Sequence, residues 1–304
     1  MRGQINKLKN ELIITVACLL PLAILGQELE PRVYANLPKG LNAVAFLYGL
    51  SKGNVLTEPT LPVENFKITA HNLGLGYVRT FALANKLSRV QLTIPFLHMM
   101  GALKLNGRDT SGTRTGFGDM RIRLGINLLG SEALSPKDFA KYQQKTILGV
   151  SLVTSVPTGL YYRDKRINLG SNRWGFKPEI GVSRRFKRFY VEGYSGVWIY
   201  TNNTKFLESK TLTQDPVLTV QSHINYTLNK KMWLGVNGNW FRGGKTKADG
   251  DPVGNLKDNW RIGGIWSYAM SRQHSLKLQF HVGAFTDVGY DYSIVIIGYQ
   301  YVFF

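Results

Sequence analysis

The chain has 304 residues, with 38 Lys and Arg against 19 Asp and Glu, for a formal net charge of +19. Hydrophobic residues at 44% and charged residues at only 19% exclude a disordered polybasic chain. A single Cys excludes a disulfide framework, a Cys-rich zinc site and an iron–sulfur cluster. The basic excess alone fits either a nucleic acid or an anionic membrane surface.

Residues 1–10 carry Arg2, Lys7 and Lys9, and an uncharged apolar run follows from 12 to 26. That order is the pattern of a secretory signal peptide, and the run is short of the ~20 residues a spanning helix needs. Pro21 also argues against a long helix there. We expect residues 1–26 to be removed near Gly26, leaving 27–304 as the mature domain. Cys18 lies in mid-run with apolar neighbours, so it reads as filler and not as a lipid-anchor site. The mature chain then has no Cys, which suits an oxidising compartment.

From residue 41 onward apolar residues recur at every second position, the signature of strands. We read twelve: 41–50, 65–82, 87–97, 116–129, 145–157, 175–185, 188–200, 217–228, 231–242, 259–270, 274–286 and 290–304. Along 120–128, Met120, Ile122, Leu124, Ile126 and Leu128 share one face, with Arg121, Arg123, Gly125 and Asn127 on the other. Along 275–284, Leu276, Leu278, Phe280, Val282 and Ala284 oppose Ser275, Lys277, Gln279, His281 and Gly283. In the second strand the phase slips, with Phe66, Ile68 and Ala70 even and Leu73, Leu75 and Tyr77 odd, which predicts a β-bulge around His71 and Asn72. The SPKDFAKY stretch at 135–142 predicts a short helix opened by Ser135 and Pro136.

Most of these strands run about 10–15 residues, twice the globular mode and enough to cross hydrocarbon when tilted. Tight turns near 84–86, 186–187, 229–230 and 271–273 alternate with long polar connections near 51–64, 98–115, 158–174, 201–216 and 243–258. That asymmetry describes an all-β, antiparallel transmembrane barrel, with both termini on the short-turn, periplasmic side. A soluble β-sandwich also alternates, but strand length, loop asymmetry and the leader favour the barrel.

In a barrel the polar alternates face the lumen, because a charge at mid-bilayer on the lipid face costs about 2–4 kcal/mol. Twelve strands close at a backbone diameter of roughly 24 Å, so inward Arg and Lys predict a narrow or plugged lumen. On the wall we single out Asp119, Arg121, Arg123, Lys177, Glu179, Arg261 and Lys277, and at the mouth Asn172, Arg173 and Trp174. Such charges serve either as a bracing network, with Asp119, Glu179 and Glu192 answering the cations, or as a polar path for a solute. The five His show no metal-ligand spacing, and no GxSxG is present, so no catalytic group, metal or cofactor is expected. A lipid hydrolase on the outer wall would need a lipid-facing His beside a Ser; His98 has the phase but no accompanying motif.

The stretch INLGSNRWGFKPEIGVSR at 167–184 resembles the core of the family named for the meta-pathway of phenol degradation. The stretches 62–81, 116–130 and 222–240 are similar as well, so the resemblance covers nearly the whole mature chain. It implies an outer-membrane, transporter-like barrel for aromatic or other hydrophobic compounds. The terminal YQYVFF resembles the aromatic-ended strand by which the barrel-assembly machinery recognises such proteins.

Together these readings predict a monomeric channel in the outer membrane of a Gram-negative bacterium, passing a small-molecule solute by passive diffusion. A non-conducting structural or adhesive barrel is the alternative. The basic residues are dispersed over loops, turns and lumen, which suits lipid phosphates and lipopolysaccharide and not a nucleic acid.

Overall fold

A sheet bordered by hydrocarbon must satisfy every backbone hydrogen bond within itself, and this chain does so by closing on itself. The structure is a computed structural model describing residues 29–56, 63–105, 107–165, 167–254, 256–286 and 289–304. The expected leader, with Cys18, lies outside the described residues. In chain order the strands begin with β1 (Asn42–Leu56), β2 (Val63–Leu83), β3 (Lys86–Leu105), β4 (Arg108–Phe117), β5 (Met120–Leu129), β6 (Thr146–Val156), β7 (Gly175–Phe186) and β8 (Phe189–Tyr200). They continue with β9 (Asn203–Phe206), β10 (Lys210–Gln214), β11 (Val217–Thr227), β12 (Met232–Gly243), β13 (Thr246–Ala248), β14 (Asp251–Gly254), β15 (Lys257–Ala269), β16 (His274–Phe285) and β17 (Gly289–Phe303).

Neighbouring wall strands pair antiparallel, and β1 closes on β17 from Asn42↔Phe303 to Leu56↔Gly289. The strands β9, β10, β13 and β14 form a separate four-stranded sheet within the long connections. β4 and β5 are successive halves of one stave, since β3 pairs with β4 over 96–105 and with β5 over 88–93. The barrel therefore has twelve staves, as the periodicity predicts. Pro95 explains the break between the two halves. A residue in an antiparallel ladder directs its N–H and C=O to the same neighbour. The Pro95 carbonyl accepts from Gly118 N–H at 3.0 Å, so its missing donor faces the break.

Burial is inverted relative to a soluble protein. Leu124, Ile180, Val191, Ile224, Val236, Phe280 and Ile297 are exposed on the outer face, while Arg123, Lys177, Glu179, Gln221, Lys277 and Gln279 are buried within. This orientation excludes the sandwich, whose apolar faces would meet each other.

Two expectations need correction. The β1–β2 ladder runs without a shift through His71 and Asn72, and the bulge falls instead between Glu64 and Lys67, where Asn65 adopts a positive φ of 53°. The phase slip has another cause: Ile68 and Ala70 point inward with Asn72 and Val78. Other apolar residues also face inward on the neighbouring strands, where Ala45, Leu47, Ile294 and Ile296 form a cluster. The connection expected at 98–115 is a protruding hairpin, because β3 and β4 stay paired from Phe96↔Phe117 to Leu105↔Arg108.

At the short-turn end the one-turn helix Pro136–Phe139 forms as expected, its Asp138 N–H bonded to the Ser135 hydroxyl. Phe139 joins Leu37, Leu41, Ala43, Val78, Leu87 and Val302 in an apolar seal.

The lipid-facing assignment is testable at Val236, which is 62% exposed. Val236→Arg should lower stability by about 2–4 kcal/mol if the site lies near the bilayer midplane. Urea titration in phospholipid vesicles measures it, and a cost near zero would remove Val236 from hydrocarbon.

Candidate functional site in the barrel lumen

A wall that turns its polar residues inward needs partners for them, and the segment before β1 supplies many. Residues 29–38 are buried throughout, inside the barrel. Their backbone is held by wall side chains. Arg89 donates to the carbonyls of Val33 and Ala35, the latter at 2.9 Å, and Asn127 donates to the Tyr34 carbonyl at 3.3 Å. Glu192 accepts from Arg32 N–H at 2.7 Å, and Gln221 accepts from Glu30 N–H at 3.3 Å. The Arg32 guanidinium lies 3.7 Å from the centre of the Tyr190 ring. Tyr34 enters a groove where the wall lacks side chains, because a Cβ at Gly149 or Gly181 would overlap its ring. Tyr194 meets that ring edge-on at 5.1 Å.

The node of the lumen is Glu179. It pairs with Arg123 at 2.7 Å and Lys177 at 2.6 Å and accepts from the Tyr34 hydroxyl at 3.1 Å. Arg123 pairs in addition with Glu30 of the inserted segment at 2.8 Å and donates to Ser151 at 3.0 Å. Charge-assisted contacts at these lengths are the strong class, and buried charges require them.

Beyond this node, toward the long loops, a cavity of about 150 Å³ opens within the barrel. Its lining includes Arg121, Trp198, Tyr200, Gln214, Phe241 and Lys257. Trp198 and Tyr200 lie side by side, ring centres 5.9 Å apart and planes 11° from parallel. Arg121 stands 5.7 Å from the Trp198 ring centre, and Arg173 stands 4.7 Å from that of Tyr200. Arg173 also donates to Gln214, while its Nε and Nη1 are buried without a hydrogen-bond partner. Burial holds the Arg173 guanidinium below the ordinary arginine range.

The remaining residues singled out from the sequence fall elsewhere. Asp119 sits at the β4–β5 break and accepts from Gly159 N–H at 3.0 Å, Ser171 N–H at 2.8 Å and the Ser171 hydroxyl at 2.5 Å. It fastens the 157–174 connection to the wall. Asn172, at φ 52°, donates to Asn203 at 2.7 Å. Trp174 is half-exposed and stacks on Phe176, ring centres 6.2 Å apart, which places it with the outward-facing residues and not over the lumen. Arg261 donates to the Tyr292 carbonyl at 2.9 Å and covers its ring at 3.7 Å. Lys277 donates to Gln300 at 3.4 Å. On the outer wall His98 meets Thr115 at 2.7 Å.

The structure thus brings Arg123, Lys177 and Glu179 into one network, sets Arg121 in the cavity lining, and places Arg173 beside two lining residues, Tyr200 and Gln214. The inserted segment, with Glu30, Arg32 and Tyr34, was not among the expected site residues. Its signal was an excess of inward cations over inward carboxylates, together with charges placed between the leader and the first strand.

Residues 51–289 match the family described as "Putative MetA-pathway of phenol degradation". The fold is similar to that of the COG4313 outer membrane channel from Pseudomonas putida F1, at 19% identity and a TM-score of 0.77, covering 91% of this chain and 100% of that one. The beta domain of the Bordetella autotransporter BrkA is similar at 12% identity and a TM-score of 0.53, covering 87% and 100%. The transport unit of the autotransporter AIDA-I from Escherichia coli is similar at 10% identity and 0.51, covering 97% and 99%. The sequence matches no curated protein.

Replacing Glu179 by Gln removes the carboxylate that Arg123 and Lys177 share and should destabilise the barrel by about 3–5 kcal/mol. Urea unfolding in micelles, followed by tryptophan fluorescence, measures the loss; adding Lys177→Met should recover part of it.

Proposed function

We propose, for a chain that belongs to the family of the MetA-pathway of phenol degradation, that it works as an outer-membrane channel for small solutes, aromatic ones included. The observation that carries this reading is a closed, lipid-facing barrel whose polar lumen contains a cavity beyond a segment threaded in from the short-turn end. Residues 1–26 act as a cleaved leader, and the short-turn end, where Asn42 pairs with Phe303, faces the periplasm. The last strand is handed to the barrel-assembly machinery, the protein is a monomer, and its basic loops meet lipopolysaccharide.

Solute passes by passive diffusion, with no cofactor and no catalytic step. The wall polarity selects it, and the inserted segment is the barrier. That segment is a bound ligand covalently tied to the barrel, so its release depends on the few charge-assisted contacts that seat it. Seating through Glu30, Arg32 and Tyr34 is also what a permanently sealed structural or adhesive barrel would show, and it is the observation that favours that second reading.

Conductance separates the two. Deleting residues 29–36, or replacing Gly181 by Leu to evict the Tyr34 ring, should raise single-channel conductance in planar bilayers several-fold and speed arabinose-driven swelling of liposomes. No conductance and no swelling in the wild type and in both variants would leave the structural or adhesive reading in its place.

A further inference from the structure

Resting on the channel reading above, we propose that the cavity between Arg121, Trp198, Tyr200 and Lys257 is a binding subsite for a small aromatic anion, a single ring carrying one carboxylate.

Size comes first. The cavity measures about 150 Å³, the volume that admits one benzene-sized ring. Its walls then divide by chemistry. Trp198 and Tyr200, their rings nearly parallel along β8, present an aromatic surface, and Phe241 of β12 also lines the space. A flat ring gains most from such a surface, through offset or edge contacts as well as apolar burial. Arg121 and Lys257 bring positive charge to the same space, and its described lining includes no Asp or Glu.

Arg173 adds a third cation beside Tyr200 and Gln214, two residues of the lining. Its Nε and Nη1 carry protons that no described group accepts, and each offers a carboxylate one charge-assisted hydrogen bond. Asp119 lies in electrostatic reach of Arg173, but its oxygens are taken by Gly159 and Ser171. A neutral aromatic would use the aromatic surface and leave these donors unanswered, whereas an aliphatic anion would use the donors and leave that surface.

The test is calorimetric titration of the full barrel in detergent at neutral pH with sodium benzoate, benzamide and cyclohexanecarboxylate. Benzoate should bind at least about tenfold more tightly than either control, the factor expected of one charge-assisted contact. Lys257→Gln and Arg173→Gln should each bring benzoate down toward benzamide, and Trp198→Leu should bring it down toward cyclohexanecarboxylate. Folding of each variant is verified by its retained heat-modifiable mobility on gels, and Tyr200→Leu serves if Trp198→Leu fails that check. Equal affinity for benzoate and benzamide, or indifference to both charge removals, overturns the proposal. Arabinose swelling of the wild type and of the variant lacking residues 29–36 reports on the channel reading separately. Benzoate binding without swelling keeps the subsite and removes the channel, and swelling without benzoate preference does the reverse.

Discussion

Hydrocarbon on the outer face is the constraint from which the rest of this structure follows. It forbids an open edge, so β1 must reach β17, and it forbids outward charge, so every Arg, Lys and Glu of the wall strands at that depth must turn inward. A barrel of roughly 24 Å backbone diameter then holds long cationic side chains from opposite walls. Water does not dilute their charge when they are buried to the extent of Arg123 and Lys177. They must find carboxylates, and among the described wall residues Arg123 and Lys177 share one, Glu179.

The segment before β1 supplies another carboxylate. Glu30 reaches Arg123, while Arg89 takes two backbone carbonyls of the same segment. Wall glycines at 149 and 181 leave the groove that Tyr34 fills, so shape and charge agree on one seating. The same side chains therefore brace the barrel and close it. The part of the chain that completes the network also fills this end of the lumen.

The two halves of the lumen differ in kind. Around Glu179 each cation is matched by an anion within hydrogen-bond distance. At the cavity Arg121 and Arg173 stand over aromatic rings, which stabilise positive charge. The Pro95 break and the Asp119 fastening belong to the cavity's end of the barrel. They admit the 157–174 connection, which carries Arg173 to the ring of Tyr200.

Strand positions, their number, and the inward or outward sense of residues such as Arg123, Lys177, Leu124 and Phe280 are legible in the amino-acid sequence. They depend on a two-residue period, a property of the pleat that each strand expresses without its neighbours. The inward-facing Ile68 and Ala70 misled that reading, because period alone does not say which face is wet. The occupant of the lumen, the partner of each buried charge and the cavity were decided only by closure. Arg123 and Glu30 are 93 positions apart, and Glu30 and Gln221 are 191 apart. No local pattern joins residues so distant; only the curvature of twelve staves brings them within reach of a hydrogen bond.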